Sequence, residues 1–314
     1  MIQETSDTSK VRILCIDDEA RILRALRALL REYEVTITTD PAVAPELAVK
    51  HDVDVVICDQ RMPQMLGVEA LRMVREKHPR AMRILLTGYS DLTAILGSVN
   101  ESEVFRFVNK PWDNDELRGL VAQAAQIARE APPLKAEPIS ERDKEEIRKQ
   151  AGILVIEDDP ETQNRLREIL GPHYQVRFAT TTDRALQVLE QHETGVVISE
   201  TDGNHGDLTA LIKTLKQYHP HIASVVLTDR ANAQIAIDLI NEGQVFRMLL
   251  KPVRMGSCRL SVEAALGRYW ELKNNPRIAR RFSVAARKTS QVSTSLLQRI
   301  KSLPQRLFAF GRVG

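Results

Sequence analysis

Arg12-Ile-Leu-Cys-Ile-Asp-Asp-Glu19 and Gly152-Ile-Leu-Val-Ile-Glu-Asp-Asp159 follow one pattern, an apolar run that ends in acids. The two lie about 141 residues apart, and the correspondence continues outward from them. Val55-Val-Ile-Cys-Asp59 matches Val196-Val-Ile-Ser-Glu200, Leu86-Thr87 matches Leu227-Thr228, and Val104-Phe-Arg-Phe-Val-Asn-Lys-Pro111 matches Val245-Phe-Arg-Met-Leu-Leu-Lys-Pro252. One fold therefore occurs twice in this chain. At the matched rim Asp59 stands against Glu200.

Within each copy, short β-branched runs alternate with amphipathic segments. In the first, Val11 to Ile16, Val35 to Thr38, Val53 to Cys58, Arg83 to Thr87 and Phe105 to Val108 read as strands. The third is apolar on consecutive positions, as a strand covered on both faces requires. Ile22, Leu23, Leu26, Leu29, Leu30 and Tyr33 fall at helical spacing, as do Val68, Leu71 and Val74, and then Leu117, Leu120 and Val121. Five β/α units per copy predict an α/β fold, a doubly wound parallel five-stranded sheet with right-handed crossovers.

The composition sets outer bounds. A chain of 314 residues, 43% apolar and 27% charged, suits two domains of ordinary size. No 18-residue apolar run is present, and Met1 to Lys10 is polar, so the expectation is a cytoplasmic protein without a membrane span or secretory signal. Cys15, Cys58 and Cys258 lack metal spacing and read as small buried hydrophobes. The net charge of +2 conceals an asymmetry: after Glu271 no acid occurs, while ten lysines and arginines do. The expected division is a first domain over 1–130, a linker over 131–150 with Pro132, Pro133 and Pro138, a second domain over 151–271, and a basic tail over 272–314. Ser140 with Asp143 resembles a capping box that opens a short charged helix inside the linker.

In a doubly wound sheet, ligands bind outside the carboxyl ends of the strands. Asp17 and Asp18 end strand one, Asp59 ends strand three, Thr87 ends strand four and Lys110 follows strand five, so one rim collects all of them. Two carboxylates about 4 Å apart repel by roughly 4 kcal/mol at an effective dielectric near 20. A hard divalent cation such as Mg²⁺, which takes carboxylates, a carbonyl and waters, offsets that. Such a carboxylate, beside a lysine and a threonine hydroxyl, is suited to accept a phosphoryl group, a transfer that needs positioning and charge neutralisation. On this reading Asp59 is the nucleophile. Asp18, Asp59 and the Arg61 carbonyl hold the metal, Asp17 holds its water, and Thr87 and Lys110 take the phosphoryl oxygens.

With these residues in place, the chain resembles the receiver domains of bacterial response regulators, over residues 8 to 130 and again over about 150 to 270. The matching residues are Asp17-Asp18, Asp59 with Met62-Pro63 and Gly67 after it, Thr87, Phe107 and Lys110-Pro111. The resemblance implies two flavodoxin-like (βα)5 domains, a cis Lys110-Pro111 bond, and Phe107 as the switch aromatic that moves inward when Thr87 engages phosphate. It also implies a sensor histidine kinase or phosphotransfer protein as donor, and a homodimer formed through the face around strand five. Beyond its own phosphotransfer and hydrolysis it implies no enzymatic activity. The alternative is a transcription or nucleic-acid regulator that uses the basic tail, against which stands the lack of a helix-turn-helix pattern or stacking platform.

The second copy has Glu157, Asp158, Thr228 and Lys251 at the matched positions but puts Glu200 in the acceptor position and Met248 in that of Phe107. An extra methylene displaces the carboxylate by about an ångström, too far for in-line transfer. This degenerate site resembles a pseudo-receiver, with Glu200 either salt-bridged to Lys251 or mimicking the phosphorylated state; Asp202 as a shifted acceptor is a further reading. In the tail, Leu296, Ile300, Leu303, Leu307 and Phe310 form one helical stripe, interrupted by Pro304, with Arg299 and Arg306 on its flank. That pattern predicts an arm outside both cores, disordered or helical, able to contact an anionic membrane or an acidic protein.

Overall fold

The structure is a computed structural model and describes residues 10–88, 100, 103–130, 140–200, 206–228, 241, 245–275 and 294–303. The chain divides into two compact units, Met1–Lys135 and Ala136–Gly314.

In the first unit the strands are β1 (Arg12–Ile16), β2 (Glu34–Thr38), β3 (Val55–Asp59), β4 (Met82–Thr87) and β5 (Arg106–Asn109). They pair in the order β2-β1-β3-β4-β5, every pair parallel. Each residue of β3 is buried, as its unbroken apolar run requires for a central strand covered on both faces. Helices α1 (Ala20–Leu29), α2 (Ala44–Lys50), α3 (Gly67–Lys77) and α4 (Asn114–Glu130) supply the cover. Leu23 and Leu26 of α1 and Leu117 and Val121 of α4 join Ile13, Ile57 and Ile84 in one buried cluster. Fully burying side chains of this size stabilises by roughly 1.5–3 kcal/mol each, which is why the helical stripe fixes where these helices sit.

The second unit repeats the plan. Strands β6 (Gly152–Ile156), β7 (Val176–Ala179), β8 (Thr194–Glu200), β9 (Ala223–Thr228) and β10 (Arg247–Leu250) pair in the order β7-β6-β8-β9-β10, again all parallel. Around them lie α6 (Pro160–Leu170), α7 (Thr182–Gln191), α8 (Gly206–Tyr218) and α9 (Met255–Asn274). Cys15, Cys58 and Cys258 are free and buried, and burial pushes the Cys15 thiol up to about 12 and that of Cys258 up to about 11. Among the described residues no helix is long and apolar enough to cross a membrane.

Two further helices depart from the division expected of the sequence. The segment 141–150, expected as linker, forms α5 (Glu141–Gln150), capped by the Ser140 hydroxyl accepting from the Asp143 N–H at 3.1 Å. Its lone apolar residue, Ile147, is 2% exposed inside the second unit's core, and Arg148 bonds Glu263 of α9 at 2.7 Å. The tail also departs from an arm outside both cores. Helix α9 continues past 271 to Asn274, and residues 294–301 form α10 (Thr294–Lys301). Ile300 (0% exposed) and Leu303 (7%) complete a buried cluster with Leu211, Leu215 and Ile222. The reason is that two apolar side chains and a partnered arginine find a fitted surface, which a tail in water lacks.

Candidate functional site

The parallel register brings the rim residues together. Ile16 pairs with Cys58, Asp59 with Leu86 and Thr87 with Asn109, so β1, β3, β4 and β5 end at one level. Asp17 (1% exposed) and Asp59 (6%) sit just past or at these ends, and Asp18 is exposed beside them. The Lys110 ammonium lies 2.6 Å from Asp59 Oδ1 and 3.1 Å from Asp17 Oδ2. The remaining oxygens accept backbone N–H groups, Asp59 Oδ2 from Arg61 at 2.9 Å and Asp17 Oδ1 from Glu19 at 2.8 Å. Thr87 is fully buried, its hydroxyl 3.3 Å from the Gly88 carbonyl, and its own carbonyl accepts from the Lys110 N–H at 2.8 Å. The Lys110–Pro111 bond is cis.

Gly67 is part of this construction. A Cβ there would stand 2.0 Å from the Asp59 carbonyl oxygen, so only glycine lets α3 begin against the loop that carries Asp59. Phe107 is buried on β5, paired with Leu85. Asp202 lies outside the described residues.

Electrostatics follow from burial. The Asp17 carboxyl is raised above its ordinary value by burial, although the Glu19 N–H and Lys110 pull the other way. Burial works against the charge of Lys110, yet its bond and attraction to Asp59, and then to Asp17, prevail and raise its pKa. Three carboxylates and one ammonium leave the rim negative. The donor set, Asp17, Asp18 and Asp59 with only oxygen ligands, fits a hard divalent cation and no soft one.

The second copy assembles the same elements differently. Lys251 bonds Glu200 and lies 3.0 Å from Glu157 Oε2, while Glu157 Oε1 accepts the N–H groups of Asp158 (3.1 Å) and Asp159 (3.0 Å). Burial, and then the neighbouring Glu157, push the Glu200 carboxyl up to about 7 against the pull of Lys251. One carboxylate oxygen from each of Glu157, Asp158 and Glu200 falls within a 4.8 Å group. The adjoining cleft is lined by Thr180, Thr181 and Thr182. Thr228 is fully buried, Met248 is buried in the position of Phe107, and Lys251–Pro252 is cis. The threonine wall was missed in the sequence because nothing in its spacing marks it as part of this rim.

Comparison with known proteins gives the family. Residues 13–122 and 153–263 each match the response regulator receiver domain, and the chain belongs to that family as a tandem of two receivers. It is 40% identical over 115 residues to the hydrogenase transcriptional regulatory protein HoxA of Cupriavidus necator, a match that covers 36% of this chain and 24% of that one. To the DNA-binding transcriptional regulator NtrC of Escherichia coli it is 32% identical over 111 residues, 35% of this chain and 24% of the relative. The chain thus matches about a quarter of the length of these curated relatives. The crystal structure of the signal receiver domain of an HD domain-containing protein from Pseudomonas fluorescens Pf-5 has 34% identity and a TM-score of 0.39, and the match covers 41% of this chain and 96% of that one.

Proposed function

We propose that the chain is a phosphorylation-switched signalling protein in a two-component phosphorelay, with Asp59 as phosphoacceptor and with output through protein contacts. The observation that carries this is Lys110 bonded to both Asp59 and Asp17 at the carboxyl ends of a parallel sheet, with Thr87 buried beside them. A carboxylate oxygen of Asp59 attacks the phosphorus of a phosphohistidine donor; the new P–O bond forms as the P–N bond breaks, and the imidazole leaves with the electron pair. Lys110 shifts from Asp59 to a phosphoryl oxygen, and the Thr87 hydroxyl donates to another. Asp17, Asp18, Asp59 and the Arg61 carbonyl would hold Mg²⁺, which supplies charge neutralisation when bound.

The donor on this reading is a sensor histidine kinase or phosphotransfer protein, and movement of Thr87 toward phosphate frees space for Phe107 to change the face around β5. Glu200 carries one methylene more than Asp59, which displaces its carboxylate from the line of transfer, so the second copy acts as a pseudo-receiver that accepts no phosphoryl group. Treating the full chain with acetyl phosphate and Mg²⁺ and measuring intact mass tests this. One phosphoryl adduct is expected, lost in Asp59→Asn and on chelation of Mg²⁺; an adduct that persists in Asp59→Asn overturns it.

A transcriptional role is the second reading, favoured by relatives named as transcriptional regulators. Salt-dependent retention of DNA by the full chain would support it, because neutralised phosphates give a steep salt slope.

A further inference from the structure

Several residues around α10 differ between the two copies in the direction that suits a basic helix. Arg299 Nε donates to Glu190 at 2.7 Å and its Nη1 to Asp183 at 3.2 Å. In the first copy those positions hold Val49 and Ala42. The Lys301 ammonium lies 5.0 Å from the centre of the Tyr218 ring, where the first copy has the cation Lys77.

The apolar seat has changed as well. Leu186, Leu189, Leu211 and Ile222 belong to the cluster that includes Ile300 and Leu303, and they replace Pro45, Ala48, Ala70 and Ala81. Even the shared histidine serves a different partner. His78 Nε2 donates to the Val53 carbonyl within its own fold at 2.9 Å, whereas His219 Nε2 donates to the Ile300 carbonyl at 2.8 Å.

We propose that the α7–α8 face of the second copy is a receptor surface for a basic amphipathic helix, that residues 294–303 are its resident ligand, and that docking withholds this arm from anionic lipid. The groups that dock are the ones a lipid surface would use: Ile300 and Leu303 as the apolar edge, Arg299 and Lys301 as the cations. Docked and lipid-bound states exclude one another, since each buries Ile300 and Leu303. The first copy lacks both acids at the matched positions, and there Lys301 would face Lys77, whose own partner is Glu46.

Charge reversal in the full chain, Asp183→Lys with Glu190→Lys, tests this by hydrogen exchange and by flotation with phosphatidylglycerol–phosphatidylcholine vesicles. Losing two partly exposed bridges and gaining repulsion is expected to lower protection of 294–303 and to raise vesicle binding about tenfold. Adding Arg299→Glu to the reversed background should restore protection and remove the gain, which new surface lysines acting directly on lipid would not allow. Unchanged protection in the reversed variant overturns the receptor surface. Lost protection without a gain in vesicle binding overturns the withholding of lipid.

Discussion

Lys216 offers a pH-dependent test of how the second unit is held together. Its ammonium is buried beneath the turn that leads into β9 and donates to the carbonyls of Pro220 at 3.0 Å and Ile222 at 3.4 Å. Burial, and then the nearby Arg268, push its pKa from 10.5 down to about 7. The unfolded chain therefore holds this proton more tightly than the folded one. Stability rises with pH from about 7 until the unfolded lysine itself titrates near 10.5, and the full cost of charging the buried amine is present below 7. At about 1.4 kcal/mol per pKa unit, the gain between pH 7 and 9 approaches ~2 kcal/mol. Lys216→Met keeps the volume and removes the titration. Urea unfolding of both chains at pH 7, 8 and 9 should show the variant more stable at pH 7, with the difference shrinking by about 2 kcal/mol at pH 9 as other groups cancel. Parallel pH dependences for the two proteins would refute the reasoning.

Two other substitutions address the site and the domain boundary. Gly67→Ala drives a methyl to 2.0 Å from the Asp59 carbonyl, so the acceptor loop must move; acetyl-phosphate labelling of Asp59 should fall at least tenfold, about 1.4 kcal/mol, with the far-UV circular dichroism of the whole chain preserved. Ile147→Ala removes the apolar anchor of α5 and should destabilise the second unit by about 2–4 kcal/mol in urea unfolding, while labelling of Asp59 in the first unit proceeds at the wild-type rate.

Much of the fold and of the rim was legible in the chain alone. Strands buried on both faces read as unbroken apolar runs, and Val55 to Cys58 shows this directly. Once the sheet is parallel, residues that follow strands one, three, four and five must share an edge, so Asp17, Asp59, Thr87 and Lys110 could be grouped before any distance was known. The sequence also contained the substitution of Glu200 for Asp59, but not its consequence. Whether the longer side chain turns toward solvent or bonds Lys251 depends on the space between β8 and the loop after β10, which only the packed structure defines.

Tertiary structure alone decided the fate of the two flanking segments. Ile147 is the one strongly apolar residue in a stretch otherwise charged or amide-bearing, so local periodicity gave no sign that α5 would be buried. The guanidinium of Arg299 is met by Asp183 and Glu190, more than 100 residues earlier in the chain. Short-range pattern reports which face of a segment is apolar. It does not report whether a complementary surface exists elsewhere, because that surface is built by residues brought together only when the sheet and its helices have packed.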